Sequence, residues 1–301
     1  MDIKNQILEL KKQKDAVILA HYYTLPEVQE LADYVGDSFY LSKIAASVEN
    51  KIIVYCGVAF MGESGSLLCP GKKVLMPDAS ADCPMAHMVT KAQIDAARAK
   101  YDDLAVVCYI NSTAEVKSWC DVSVTSANAV KIVKNIKNQN ILFVPDKNLA
   151  RHVAEQVPQK NVMAVEGFCP IHNAIEAKSI LALKALHPKA KVLAHPECNH
   201  EVCALADYLG STSGIIDFAT ADSAEEFIIV TEIGVEYPLK KANPQKRFYF
   251  PDPIPVCRDM KLITLEKILN VLKNEDTEAN VPDVHRQKAN ATLTKMLELA
   301  K

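Results

Sequence analysis

Apolar residues fall into short unbroken runs along this chain. The runs alternate with segments in which apolar side chains return every three or four residues. The runs lie at Val17–Ala20, Lys51–Tyr55 and Lys73–Met76, then at Leu104–Cys108, Ile141–Val144 and Val162–Val165, and finally at Val192–Ala194, Phe227–Val230 and Phe248–Phe250. Continuous apolar runs of this length predict parallel strands buried on both faces. The spacing of Ile3, Ile7, Leu8 and Leu10 predicts a surface helix over 3–13. Its counterparts begin after Thr90, near Glu176 and after Thr264, and align Ile94, Ile180 and Ile268. Further helices are expected over 27–35, 115–121 and 201–209. Others follow Ser38, Ser126 and Thr212, whose hydroxyls are good N-caps. Alternating helix and strand predicts an α/β protein built of small parallel sheets covered on both faces. After Cys257 only helical patterns remain, split by the polar loop 273–282. With no strand of their own, they are expected to close the assembly against its first unit.

The pattern is written three times. From His21, Tyr109 and His195, a Glu follows at +6 (Glu27, Glu115, Glu201), an Asp at +12 (Asp33, Asp121, Asp207) and a hydroxyl at +17 (Ser38, Ser126, Thr212). The copies are offset by 88 and 86 residues (21→109→195), too long for a solenoid unit and right for a small domain. Each copy carries a cysteine at a matching place: Cys83, Cys169 and Cys257 follow their opening residues by 62, 60 and 62 positions. The expected organisation is three small three-layer αβα domains over 1–83, 84–169 and 170–257. They are arranged with pseudo-threefold symmetry around a central active site, and helices in 264–301 complete the first.

Composition narrows the setting. An apolar content of 49% and a charged content of 24% are those of a globular protein. The net charge of −3 gives no reason to expect nucleic acid or an anionic membrane surface as partner. No apolar run approaches the ~20 residues of a membrane span. Nine cysteines is an odd number without a small secreted scaffold around it, which points to a reducing cytoplasm and to thiols that are core residues or metal ligands.

Ligand sites of open parallel sheets lie beyond the carboxyl ends of the strands. His21, Tyr109 and His195 sit there, and threefold packing gathers them around one cavity. Two residues on stand Tyr23, Asn111 and Glu197, which differ between copies as asymmetric chemistry requires. An isolated Ser at a helix start is ordinarily just a cap. Three equivalent hydroxyls at helix N-termini, facing one cavity, suit a ligand with several negative charges. Three converging thiolates leave two options. Zinc normally takes a fourth ligand and favours Cys-x-x-Cys pairs, absent among these three. A [4Fe–4S] cluster held by three cysteines leaves one open iron, able to act as a Lewis acid. Chance alignment of some of nine cysteines is the plain alternative. Cys56, Cys69, Cys108, Cys120 and Cys203 read as packing residues, and His87, His152, His187, His200 and His285 as surface groups.

The motifs match a known family. Ala20-His21-Tyr22-Tyr23, Gly36-Asp37-Ser38, Cys83-Pro84-Met85, Tyr109-Ile110-Asn111, Thr125-Ser126-Ala127-Asn128, Cys169-Pro170-Ile171-His172, His195-Pro196-Glu197-Cys198 and Gly210-Ser211-Thr212-Ser213 resemble quinolinate synthase of the A type, over nearly the whole chain. The resemblance implies condensation of iminosuccinate (iminoaspartate) with dihydroxyacetone phosphate to quinolinate, phosphate and water in de novo NAD biosynthesis. An oxidase or dehydrogenase would supply the iminosuccinate. It implies a [4Fe–4S] cluster on Cys83, Cys169 and Cys257. It implies substrate contacts from His21, Ser38, Tyr109, Ile110, Asn111, Ser126, His172, His195, Pro196, Glu197, Ser211 and Thr212. Glu197 is then the general acid/base, Tyr23 and Tyr109 assist proton transfer, and His21 and His195 donate hydrogen bonds to substrate oxygens. Some relatives carry Cys-x-x-Cys near the last ligand. Cys257-Arg258-Asp259-Met260 lacks it, so a thiol–disulfide switch of that kind is not expected here. The competing expectations are a non-catalytic iron–sulfur redox sensor and a zinc-stabilised phosphosugar-binding protein.

Overall fold

Three separate four-stranded sheets carry the fold, and every strand pair within them is parallel. They are seen in a computed structural model that describes residues 2–301. The first sheet holds β1 (Ala16–His21), β2 (Tyr34–Gly36), β3 (Ile52–Cys56) and β4 (Lys73–Leu75). The second holds β5 (Leu104–Tyr109), β6 (Val122–Val124), β7 (Asn140–Val144) and β8 (Asn161–Ala164). The third holds β9 (Lys191–Ala194), β10 (Tyr208–Leu209), β11 (Glu226–Val230) and β12 (Arg247–Tyr249). The strand orders are β2-β1-β3-β4, β6-β5-β7-β8 and β10-β9-β11-β12, one topology three times. Register repeats as well: Leu19 stands opposite Tyr34, Val107 opposite Val122, and Leu193 opposite Tyr208. The α/β reading and its three parallel sheets hold.

Each sheet has one strand more than the apolar runs predict. The expected helices over 27–35, 115–121 and 201–209 stop early, at Leu31, Ser118 and Cys203, and the chain turns back onto the sheet as β2, β6 and β10. The repeated Asp causes the turn. The side chains of Asp33, Asp121 and Asp207 accept the backbone N–H of Ile18, Val106 and Val192 at 2.8, 2.7 and 2.7 Å. Their own N–H groups donate to the carbonyls of the same three residues at 3.0, 2.9 and 2.8 Å. A carboxylate clamped to the central strand cannot continue a helix.

The capping expectation shifts by a residue or more. Asp37 caps the helix Ser38–Ser47 and Ser211 caps Thr212–Ala221, so Ser38 and Thr212 are first helical residues rather than caps. After Ser126 the helix starts only at Ala129. None of the three hydroxyls is used up by its own helix.

The C-terminal segment closes more than the first unit. Helix Leu265–Asn274 packs on helix Ile3–Gln13. The next residues run antiparallel beside β4, with Met76 donating to the Thr277 carbonyl and Ala279 to that of Val74. Helix Asp283–Leu299 then crosses to the second unit and packs on helix Ala114–Ser118 and β6, as well as on Ala59–Leu68 of the first. Its buried face is Ala289, Thr292, Leu293 and Met296, with the Thr292 hydroxyl 2.8 Å from that of Ser123. Part of the second unit consequently shares one hydrophobic core with the first, its remainder packs as a separate cluster around Ile94, Val106 and Leu142, and the third unit keeps its own. No helix among the described residues is long and apolar enough to cross a membrane.

Candidate active site

β1, β5 and β9 are the central strands of their sheets, and their carboxyl ends face one another. His21 and Tyr109 are the last residues of β1 and β5, and His195 follows β9 directly. Together they wall a cavity of about 120 Å³, far more than the ~10–15 Å³ that one water needs. Tyr23, Ser38, Asn111, Ser126, His172, Glu197, Thr212 and all three repeated cysteines line the same space. Ile110, Pro196 and Ser211 do not. Ile110 is buried behind the wall, and Ser211 opens onto a neighbouring surface pocket.

Each of the three cysteines precedes a short helical turn, Pro84–His87, Pro170–Asn173 or Arg258–Lys261. A carboxylate holds each cysteine's backbone N–H. Asp82 holds Cys83 at 2.7 Å, Asp146 holds Cys169 at 3.0 Å and Glu232 holds Cys257 at 3.0 Å. Backbone N–H groups of Met85 and Ala86, of His172, and of Met260 favour the thiolate forms. Burial works the other way. It pushes the Cys257 thiol up to about 11 and raises those of Cys83 and Cys169 as well; the Glu197 charge raises both of the latter further, the Cys257 sulfur adds to the rise of Cys83, and the Cys83 sulfur to that of Cys169. Three half-buried sulfurs on one cavity coexist as thiolates only beside a cation that compensates their charge, which is the setting iron or zinc supplies. Among the described residues all nine cysteines are free thiols. A second donor set overlaps the first: ligand atoms of Cys169, His172 and Glu197 lie within 4.8 Å of one another and could hold a metal ion.

The histidine tautomers follow from the turns after β1 and β9. Tyr23 N–H donates to His21 Nδ1 at 3.1 Å, and Glu197 N–H donates to His195 Nδ1 at 3.3 Å. Both rings therefore carry their proton on Nε2, and His195 Nε2 lies 3.1 Å from the Ser126 hydroxyl. Burial lowers His21 to about 4 and His195 to about 3, so both are neutral hydrogen-bond donors at neutral pH.

A chain of hydrogen bonds crosses the cavity. The Tyr109 hydroxyl donates to Glu197 Oε1 at 2.6 Å. Glu197 Oε2 lies 2.7 Å from His172 Nδ1, which is also 3.2 Å from Cys169 Sγ. His172 Nε2 meets the Thr231 hydroxyl at 2.8 Å, Thr231 meets Tyr23 Oη at 2.8 Å, and Tyr23 meets Thr212 at 2.9 Å. Burial works to raise the Glu197 carboxyl. The neighbouring His195 and His172, with hydrogen bonds from His172 and Tyr109, outweigh it and hold the group well below the usual range. Burial and the Glu197 charge push both tyrosines well up, so they stay protonated.

Several further residues, to which the sequence assigned no role, contribute. Thr231 completes the chain just described. Lys261 donates to Glu232 at 2.8 Å and to the Tyr23 carbonyl at 2.5 Å, which ties the Cys257 loop to the first unit. Asp146 and Glu232 stand at +37 from Tyr109 and His195, so extending the repeat count finds them, while the first copy has Val58 there.

Residues 5–298 match the family described as quinolinate synthetase A protein. The quinolinate synthase of Fusobacterium nucleatum is 53% identical over 298 residues, covering 99% of each chain. Those of Caldicellulosiruptor saccharolyticus and Clostridioides difficile are each 51% identical, over 298 and 299 residues, and cover 99% of this chain and 98% of the relative. With matches of this length and identity, the chain belongs to the quinolinate synthetase A protein family.

Proposed function

We propose that this protein condenses iminosuccinate with dihydroxyacetone phosphate to give quinolinate, phosphate and water, as a step of NAD biosynthesis in the cytoplasm. The observation that carries the reading is the convergence of three thiols, one ionised carboxylate and two neutral imidazoles on a single cavity. Each of three small domains, 1–83, 84–169 and 170–257, ends on the cysteine it contributes. Cys83, Cys169 and Cys257 would hold a [4Fe–4S] cluster, and the donor set fits one: three half-buried cysteines lining one cavity, each with at least one backbone N–H directed to its sulfur. When bound, the cluster supplies a Lewis-acidic iron with one open position.

The chain's own residues do the rest. Glu197 is ionised at neutral pH and accepts the protons that tautomerisation and water loss release. Tyr109, held 2.6 Å from that carboxylate, fixes its orientation and returns a proton to a leaving oxygen. Tyr23 reaches Glu197 through Thr231 and His172, a route by which a proton can pass from one side of the cavity to the other. The Nε2–H groups of His21 and His195 donate to substrate oxygens. Ser38, Asn111, Ser126 and Thr212 hold the carboxylates and the phosphate, with Ser38 and Thr212 at the positive ends of ten-residue helices. Ile110, Pro196 and Ser211 shape the turns that carry these groups.

The Cys169, His172 and Glu197 set supports a second reading, a zinc-stabilised binding protein. Anaerobic purification followed by iron and sulfide analysis separates the two. A brown protein that makes quinolinate from the two substrates supports the enzyme. A colourless zinc protein that makes none overturns it.

A further inference from the structure

Asp37, Thr125 and Ser211 occupy one repeat position, sixteen residues after His21, Tyr109 and His195. Two of them do the same work. Asp37 accepts the Tyr40 N–H at 2.9 Å and Ser211 accepts that of Gly214 at 3.2 Å, so each caps its helix. Thr125 caps nothing. Its helix begins four residues later, at Ala129, and Asn128 Oδ1 takes up the Thr125 N–H at 2.7 Å. The Thr125 side chain is only 3% exposed, it lines the central cavity, and its hydroxyl has no partner among the described residues. The neighbouring Asn128 Nδ2 is equally buried and equally unpartnered. Ser126 beside it is already engaged with His195.

Buried hydroxyls without a partner cost folding free energy. Here the cost is confined to the one copy in which the cap was given up, at a residue that lines the cavity. We propose that Thr125 is a substrate-binding residue, its hydroxyl donating to a carboxylate or phosphate oxygen of an anionic ligand next to Ser126. The proposal rests on the reading above only for the identity of that anion.

Thr125→Val keeps the shape and deletes the hydroxyl; Thr125→Ser keeps the hydroxyl. The anaerobically purified full-length protein and both variants are compared by thermal unfolding and by titration with two unreactive probes, succinate and inorganic phosphate. Thr125→Val should unfold at the same or a higher temperature than the wild type, because it removes an unsatisfied buried group. It should bind at least one probe about fivefold or more weakly, while Thr125→Ser stays within about twofold. Loss confined to succinate assigns a carboxylate subsite; loss confined to phosphate assigns a phosphate subsite. A Thr125→Val protein that unfolds earlier or fails to fold shows a structural hydroxyl and overturns the proposal. So do unchanged affinities for both probes, or a wild type that binds neither. A wild type that binds the probes yet makes no quinolinate overturns the proposed reaction instead and leaves the Thr125 comparison readable.

Discussion

Tyr109 and Glu197 come from different repeats, 88 residues apart, and share a 2.6 Å hydrogen bond inside the central cavity. Tyr109 opens its copy; Glu197 stands two residues into the next. The corresponding positions of the first copy hold His21 and Tyr23. The threefold scaffold thus presents three strand ends, and the chemistry lies where their residues differ.

Glu197→Gln tests the assignment of the acid/base. The amide keeps the size of the side chain and removes both its charge and its basicity. Quinolinate formation should fall by ~100-fold or more, the low end for loss of a general acid/base. Iron and sulfide content should stay at the wild-type level, since Glu197 is not among the three thiols. Turnover near that of the wild type would remove Glu197 from the role.

Acid should destabilise the fold below pH 6.5. His21 and His195 are held down to about 4 and about 3 by burial, while in the unfolded chain they titrate near 6.5. Between those values the unfolded state binds more protons than the folded one, so stability rises with pH through the window and is lost as pH falls. Each group contributes at most about 1.4 kcal/mol per pH unit. Glu197, held below its usual range, adds loss in the same direction, beginning lower, near pH 4.5. Urea midpoints at pH 7, 6 and 5 should fall steadily, and less steeply in His21→Gln. A flat profile for the wild type would contradict the neutral, buried imidazoles.

How much of this could be read in advance depends on the kind of residue. β1, β5 and β9 are fully or almost fully buried, so their apolar runs stand out. The cysteines stood out because a repeat preserves spacing. β10 is two residues long, and no periodicity can mark so short an edge. The caps lie a residue before the expected Ser38 and Thr212, because Asp37-Ser38 and Ser211-Thr212 each place two good capping residues side by side. Thr231 was beyond the repeat logic altogether: its counterparts are Gly57 and Pro145, and its role appears only when Tyr23 reaches it from another unit. Contacts within a copy leave a pattern in the sequence, and contacts between copies do not.

The repeated Asp is structural, and removing it should cost stability without touching the reaction. Asp207→Ala leaves the buried Val192 N–H without its 2.7 Å acceptor and frees β10 from the sheet edge. An unpaired buried donor costs about 1–3 kcal/mol. The urea midpoint should fall accordingly, while activity per folded molecule and iron content stay as they were. Asp33→Ala and Asp121→Ala should behave alike, because Ile18 and Val106 are held in the same way. A loss of turnover in fully folded Asp207→Ala would give this carboxylate a part in the chemistry that its place at the sheet edge does not predict.

The Glu232–Lys261 pair should behave as a coupled unit. Glu232 is fully buried, accepts the N–H groups of Cys257 and Gly234, and faces Lys261 Nζ at 2.8 Å. Lys261→Met strands a buried carboxylate beside the Cys257 loop. Loss of a fully buried partner costs about 3–5 kcal/mol, and because the lysine is partly exposed the expected loss is about 2–3 kcal/mol. Retained iron should fall with it, since the same carboxylate positions Cys257. Glu232→Gln removes the charge and keeps an acceptor for only one of the two N–H groups, since Cys257 N–H is held by Oε1 and Gly234 N–H by Oε2. In the Lys261→Met/Glu232→Gln double variant no ion is left unpaired, so part of the stability should return. Urea unfolding of the wild type, both single variants and the double variant gives the coupling directly. Strict additivity would show that the two groups act independently, and that the lysine stabilises the Cys257 loop only through its bond to the Tyr23 carbonyl.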